Sequence, residues 1–502
     1  MGVDSSRIAN IVGYELKPGQ FSGATPNLPQ RIVILGQPNS ANEASITENE
    51  VKEYSILRNV GNRYGFGSPI YNMFKLLRPI SGTGVGGIPT VIIPQKAATS
   101  ATAKKLNVEP TGTANANAEH TLVIAGRRRV AGARYSFVVE SGDGPTDIAQ
   151  KMVDTVNNAL AAPVTGTVDT TETSTESLLA ESKWAGKDAD ELTIEVDTND
   201  NPAGVSYSVS EVASAAGTPG IQGALDKFEE WNTIVVNPYG PDVHTTLELN
   251  NGLPSEQGGT GRYSPTVFKP FVALFGFTDT TDSLDFSTQK EEVTKVLCPA
   301  PGSKNFTGEV AAAYARLLAT QAQDNPHIDI QGQRVPGITV GDGIGDFADY
   351  NFRDRVVKKG YSTATVTAGN FEVQDFVTTY HKEGEVPLQF NHVRNLIIDW
   401  NIRYRYMLLE KTQVLGKAIA ADSDFVDVDN VIKPKQWRSA LFDFADQLGA
   451  DGLIADVDFM KGNINVEIDD TNPDRLNTDI KYKRTGFTRI LSTVSSAGFN
   501  LG

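Results

Sequence analysis

The sequence predicts an α/β (α+β) protein of several domains, and three observations carry that prediction. Short, unbroken apolar runs at 32–35 (IVIL), 90–93 (TVII), 233–236 (TIVV) and 271–277 (FVALFGF) have the composition of strands buried on both faces of a sheet. Between the first two sits a helix-start signal, Ser68 followed by Pro69, so strand, helix and strand succeed one another. From 96 to 223 the texture changes to alternating strands joined by Ser, Thr, Ala and Gly, the mark of a β-rich domain inserted into the α/β one.

Taken in order, the chain opens with Val12, Tyr14 and Leu16 alternating with polar neighbours, one strand with no hairpin partner beside it. A Pro/Gly/Ser/Asn-rich linker at 18–30 follows. A tethered strand of this kind can reach the sheet edge of another molecule or fold back on its own domain, and the sequence leaves both open. The core begins at Arg31, with a helix expected at 69–77 and a glycine-rich loop at 81–87 before the second buried strand. Within the insertion, strands are expected at 121–125, 134–140, 192–196 and 205–209. One helix is marked by Ile148, Met152, Val156 and Leu160, and a Gly/Ala/Pro hinge lies at 215–223. A small-residue helix is expected at 308–322 and a loop at 335–350. Val393, Ile397, Trp400, Tyr404, Leu408 and Leu415 then predict a helix of about 26 residues, roughly 40 Å long. Pro434 opens another, with Trp437, Leu441, Phe444 and Leu448 on one face and Gly449 as its expected end. Last comes a hairpin. Ile464, Val466 and Ile468 alternate across a turn at Asn472-Pro473 with Leu476, Ile480 and Tyr482. A lone hairpin is marginal in water and offers unpaired backbone groups on both edges, so partners are expected from other copies of the chain.

Charge and cysteine usage narrow the function. With 61 acidic and 45 basic residues the net charge is −16, which opposes nonspecific binding to DNA or an anionic membrane, so no direct nucleic-acid contact is expected. No run of about 18 apolar residues and no basic-then-apolar leader is visible, which predicts cytoplasmic synthesis without membrane insertion. Cys298 is the single cysteine, read as a small buried hydrophobe, and precludes an intrachain disulfide.

Candidate chemistry is sparse. Gly82, Gly84 and Gly87 satisfy G-x-G-x-x-G, but a helix precedes and a strand follows, the reverse of a phosphate-binding turn. Asp422, Asp424, Asp427 and Asp429 lack the glycine and glutamate of a calcium loop and read as a solvated acidic turn, as do Asp342 and Asp346. His120, His244, His327, His381 and His392 form no short-spaced metal pair, and no G-x-S-x-G elbow offers a nucleophile. Arg127, Arg128 and Arg129 fall at a turn, where a solvated tip is the default; an acidic neighbour or nucleic acid is the alternative. No cofactor, metal or enzymatic role is expected.

Five segments, together with the long helix that begins at Val393, resemble the contractile tail sheath proteins of myovirus-type phages and related injection devices. They are RIVILG (31–36), GFGSPIYNMFKLL (65–77), VQDFVTTY (373–380), KPKQWRSALFDFADQLGADGLI (433–454) and TNPDRLNTDIKYKRTGFTRI (471–490). The resemblance implies a non-enzymatic subunit of a virion tail, assembled in the host cytoplasm. Copies form a homo-oligomer of stacked, helically related rings around an inner tail tube protein, with baseplate and tail terminator proteins at the ends. Contraction of that array drives the tube through the host envelope for genome delivery. It also implies the layout: an N-terminal arm and linker (1–30), a core in two parts (31–95 and 224–370), an inserted domain at larger radius (96–223), a tube-facing domain (371–486) and a C-terminal arm (487–502). The intersubunit arms would then carry Val12, Tyr14, Leu16, Phe487, Ile490 and Leu491. The receiving sheet would carry Ile464, Val466, Ile468, Ile480 and Tyr482. Lys433, Lys435 and Arg438 are candidate contacts to carboxylates on the tube. The family's arginine-led phrase before the threonine pair is replaced here by Val373-Gln374-Asp375-Phe376. The alternatives are the sheath of a bacterial contractile injection system or tailocin, a static surface-layer or fibre subunit and, from another class, an α/β nucleotide-binding enzyme.

Overall fold

A computed structural model describes residues 26–127, 135–171, 176–254, 259–385 and 387–497. The expected strand at Val12, Tyr14 and Leu16 lies outside them, as do Arg128, Arg129 and the last residues of the C-terminal arm. The fold is α/β, and the chain divides into two compact units, Pro29–Asn401 with Arg484–Gly502, and Met1–Leu28 with Ile402–Lys483.

In the larger unit the apolar runs form a six-stranded sheet in the order Lys295–Pro299, Val272–Phe277, Ile234–Val236, Ile32–Gly36, Thr90–Pro94, Lys52–Glu53. The first five are mutually parallel and the short last strand is antiparallel. Every residue of those five is buried, which is why they read as unbroken apolar runs. Val33, Leu35, Val235 and Ala273 share one core with Leu225, Tyr239 and Leu247. The helices Pro69–Leu77 and Thr307–Asp324 pack on each other and against the sheet. Ser68 caps the first, its hydroxyl accepting from the Tyr71 N–H at 3.1 Å. In the second, Ala311, Ala312, Ala313 and Ala315 are buried, the small side chains that close approach to a sheet requires.

The edge strand Lys295–Pro299 was not expected. Its lysine breaks the apolar run, yet Lys295 is fully buried because Glu248 pairs with it. Cys298 beside it is buried as read, and burial pushes its thiol up. A second unexpected pair, Thr363–Thr367 with Asn370–Asp375, is an antiparallel hairpin closed by Ala368 and Gly369, both at positive φ, the tight turn such a two-residue loop needs.

The segment between the second and third strands of the parallel set holds an antiparallel four-stranded sheet, ordered Ser206–Ala213, Lys105–Thr111, Ser177–Ser182, Val164–Asp169, and a three-stranded one, Ser136–Val139, Ala118–Ile124, Ile194–Asp197. Ile148, Met152 and Val156 of the helix Pro145–Asn158 fill the core with Val108, Leu122, Phe137 and Leu178. Leu160, expected on that face, is beyond the helix and exposed. Strands Lys105–Thr111, Val164–Asp169 and Ser177–Ser182 escaped the sequence reading: a proline interrupts the first, and the second has a glycine whose Cβ would press on Leu178.

Two helix ends differ from expectation. The long helix is Val393–Gln413, 21 residues, and Leu415 is 76% exposed because Gly416 at φ +85° turns the chain away. The helix after Pro434 runs through Gly449 to Ala450. Gly449 is there for space: a Cβ on it would lie 2.4 Å from Val457 Cγ2, at the start of the helix Val457–Gly462.

Candidate functional site

The expected receiving hairpin belongs to the smaller unit. Ile464–Ile468 pairs antiparallel with Leu476–Ile480, placing Ile464 opposite Ile480, Val466 opposite Thr478 and Ile468 opposite Leu476 on one face. Tyr482 lies just past the second strand and is half-buried. That face rests on the Pro434–Ala450 helix, where Trp437, 1% exposed, donates from its indole Nε1 to Thr478 Oγ1 at 3.1 Å. Tyr406 stands against Trp437 and Phe444, at ring distances of 6.1 and 6.2 Å.

The turn is built by one carboxylate. Asp469 Oδ1 accepts from the Thr471 N–H (2.9 Å), the Thr471 hydroxyl (2.7 Å) and the Asn472 N–H (3.0 Å), and Oδ2 accepts from Asn477 Nδ2 (3.0 Å). Those donors hold the Asp469 carboxyl well below the usual carboxylate range. Among the described residues the hairpin is a sheet of two strands, with no third strand on either outer edge. It is a backbone surface available to an added strand.

Lys433, Lys435 and Arg438 cluster at the start of the supporting helix. Lys433 N–H donates to Gln436 Oε1 at 3.1 Å and its ammonium reaches the Asp424 carbonyl, while the Lys435 N–H donates to Asp422 Oδ1 at 3.0 Å. The side chains of Lys435 and Arg438 are exposed, Arg438 lying 5.5 Å from the Phe442 ring. The acidic turn therefore serves in part as a brace for this helix start.

The C-terminal segment, in the larger unit, divides at Arg489. Upstream of that point it is fastened to its own chain. Arg484 forks onto Asp399, with contacts of 2.7 and 2.5 Å. Arg394 donates to the Thr485 carbonyl and hydroxyl, both at 2.9 Å. Phe487 has the Arg394 and Arg489 guanidiniums at 5.6 and 5.3 Å from its ring centroid, a cation–π contact from each. Arg489 pairs with Asp329, whose side chain is 2% exposed. Burial and the two arginines push His392 nearby down to about 3, so it is neutral. Downstream, Ile490, Leu491 and Val494 are 87%, 85% and 92% exposed. Of the residues assigned to this arm, Phe487 is thus an anchor, and Ile490 and Leu491 project. The roles of Arg394, Arg484 and Arg489 were not singled out from the sequence, and with Arg394 standing 91 residues from the Thr485 that it holds, no local pattern announces the cluster.

Arg127 corrects a sequence reading. It is no solvated tip: its guanidinium pairs with Glu309 and lies 5.3 Å from the Phe306 ring, and burial lowers its pKa to about 10. Two histidines serve the core, as lone histidines commonly do. His120 shares hydrogen bonds with the Tyr207 hydroxyl (2.6 Å) and the Asn201 carbonyl (2.9 Å), and His244 packs 4.3 Å from Phe275.

Neither a family model nor a curated protein matches the chain. Solved structures do. The sheath tail protein of Desulfitobacterium hafniense is 10% identical, with 91% of this chain and 93% of that one covered and a TM-score of 0.44. The sheath tail protein of Listeria innocua is 8% identical, with coverage of 92% and 93% and a TM-score of 0.42. The sheath of the PVC extracellular contractile injection system, in its contracted state, is 7% identical, with coverage of 98% and 99% and a TM-score of 0.48. Each of the three is described as a sheath protein, and the likeness is one of fold.

Proposed function

We propose that this chain is the structural subunit of a contractile sheath, which polymerises helically around an inner tube and shortens to drive that tube through a target envelope. One observation carries the reading: among the described residues the two-stranded hairpin Ile464–Ile468 with Leu476–Ile480 has an open edge on either side, while Ile490, Leu491 and Val494 beyond Arg489 are in solvent. Those are the two halves of a strand-addition joint between copies. The sequence segments at 31–36, 65–77, 373–380, 433–454 and 471–490 support the same reading. Backbone hydrogen bonds across a shared sheet would hold neighbours together while linkers such as 18–30 let the bodies rotate, so a lattice can change radius without separating.

Within that proposal the device is a phage tail. The remaining partners are the tail tube protein, with Lys433, Lys435 and Arg438 facing its carboxylates, and the baseplate and terminator proteins at the ends. The subunit catalyses nothing, and better body-to-body contacts in the contracted state supply the work. Negative-stain microscopy of the purified full chain tests the proposal. Rings, tubules or empty sheath cylinders are expected from the wild type, and unassembled folded protein from a chain lacking 490–502. Monodisperse wild-type particles under all assembly conditions, or normal cylinders from the truncated chain, would overturn it.

A further inference from the structure

The larger unit contains a buried acidic joint between the inserted β domain and the parallel-sheet layer, and the contractile reading does not use it. Phe306 precedes the helix Thr307–Asp324 and offers no side-chain cap. The cap comes instead from the insertion. Glu191 accepts from the Thr307 N–H and the Thr307 hydroxyl, both at 2.6 Å. Two residues on, Glu309 receives Arg127 from the insertion and Asn305 Nδ2 at 2.9 Å. Trp184 closes the joint, its ring 5.3 Å from Phe306.

Asp188 and Glu191 sit three apart on the 3-10 turn Lys187–Glu191, a spacing that puts both on one side, and both line a small cavity with Trp184, Asn72 and Glu309. Among the described residues no cation lines this cavity, and Arg127, over the neighbouring Phe306 ring, is committed to Glu309. Trp184 Nε1 and Asp188 Oδ1 are both buried and neither makes a well-formed hydrogen bond among the described residues, although the indole and the Asp188 and Ala189 amides lie near enough to favour the ionised carboxyl in part against its burial. An ionised Asp188 therefore has no cation to meet it, while a protonated one is compatible with burial.

We propose that this joint is a proton-operated latch: with Asp188 and Glu191 protonated the inserted domain is seated firmly on the start of the Thr307–Asp324 helix, and their ionisation loosens it.

The surrounding charges fit that assignment. Asp188 faces Glu191 and the hydroxyl of Tyr239, which follows the Ile234–Val236 strand. Glu191 has Asp190 on its own turn and Asp279 beyond the Val272–Phe277 strand, and Asp190 itself is turned to Lys104 at 2.9 Å. From the Pro69–Leu77 helix, Lys75 adds its charge near Arg127, and burial lowers its own pKa to about 8. Lys187 is drawn outward to Asp242 at 2.7 Å. Burial pushes both the Asp188 and Glu191 carboxyls up to about 7, against a tendency of the Thr307 donors to lower Glu191. For carboxyls raised on folding the sign is definite. The ionised pair opposes docking above pH 7, and protons favour docking increasingly as pH falls through 7 towards the ordinary carboxylate range.

Hydrogen exchange by mass spectrometry on the full chain, at about pH 6 and about pH 8.5 with intrinsic rates divided out, reads the latch directly. A carboxyl with a pKa near 7 changes the docking equilibrium by roughly tenfold per unit below that value, down to the ordinary carboxylate range, and hardly at all above it, so the step from about pH 6 to about pH 8.5 is worth about tenfold for each carboxyl. Protection at 184–191 and 307–312 is therefore expected to drop at least tenfold at the higher pH, while the Ile32–Gly36 strand keeps its own. The double variant Asp188→Asn with Glu191→Gln, which mimics the protonated pair, should stay protected at both pH values, and either single variant should show a smaller fall than the wild type because one carboxyl still titrates, which keeps the comparison available should the double variant not fold. Asp354→Asn, exposed on the helix Tyr350–Val357 where it pairs with Lys358, should retain the wild-type fall. Protection independent of pH in the wild type, or an unchanged fall in the neutral variants, would overturn the proposal.

Discussion

Replacing Trp437 by alanine tests whether the hairpin depends on the helix beneath it. Trp437 is 1% exposed, packs on Tyr406 and bonds Thr478 on the second strand. Truncating a buried tryptophan costs about 3–5 kcal/mol, and the lost hydrogen bond is part of that sum. The segment Ile402–Lys483 of the smaller unit, which carries its hairpin and helices, has about 80 residues, for which a total stability of about 4–12 kcal/mol is ordinary. The substitution thus removes a large fraction of what holds Ile464–Ile468 in place, and a hairpin of two strands cannot stay formed alone. At about 1.4 kcal/mol per factor of ten, amide protection of both strands should fall by two to three orders of magnitude. Trp437→Phe keeps an aromatic ring but loses the hydrogen bond and part of the packed volume, so it should cost about 1.5–3 kcal/mol, roughly ten- to hundredfold and less than alanine. Hydrogen exchange on the full chain measures both. Protection within threefold of wild type in Trp437→Ala would show that the hairpin does not draw its stability from this helix, and the argument would fail.

Three further outcomes are expected. Arg127→Met should destabilise the larger unit by about 3–5 kcal/mol in urea unfolding, because Glu309 is left buried without its cation, and adding Glu309→Gln should recover a good part of the loss. Arg489→Ala should release the segment at 488–497 from Asp329, while Arg484 and Arg394 still hold 484–487, giving at least about tenfold faster proteolysis at 488–497 with the parallel sheet intact. Asp469 has a depressed pKa, so its contribution is present above the ordinary carboxylate value near 4 and lost as pH falls below it; exchange at 469–477 should accelerate in acid, and Asp469→Asn should flatten that dependence.

Much of this architecture was legible because burial and sequence pattern coincide. Ile32–Gly36 and Thr90–Pro94 are buried throughout and read as unbroken apolar runs, and the Ser68-Pro69 cap names its helix directly. The final hairpin was equally legible, since alternation at Ile464, Val466 and Ile468 survives into a pairing with Leu476 and Ile480. What escaped is whatever depends on a partner remote in sequence. Lys295 looks like a strand breaker until Glu248 is beside it, and Arg127 looks solvated until Glu309, 182 residues later, meets it. Gly449 looks like a helix stop, although its purpose is to admit Val457. The anchor at Phe487 shows the same limit, for its arginines stand at 394 and 489.

The cap that Glu191 places on Thr307 also bears on the order in which the chain folds. Thr307 is translated 116 residues after Glu191, so the inserted domain has left the ribosome before the helix that needs it begins to appear. A nascent helix with its first amides unsatisfied then finds a finished acceptor waiting, and closing so long a loop costs only logarithmically more than closing a short one. A circularly permuted chain in which the insertion is translated last would lose that advantage: its helix start would wait, uncapped, through the whole of synthesis.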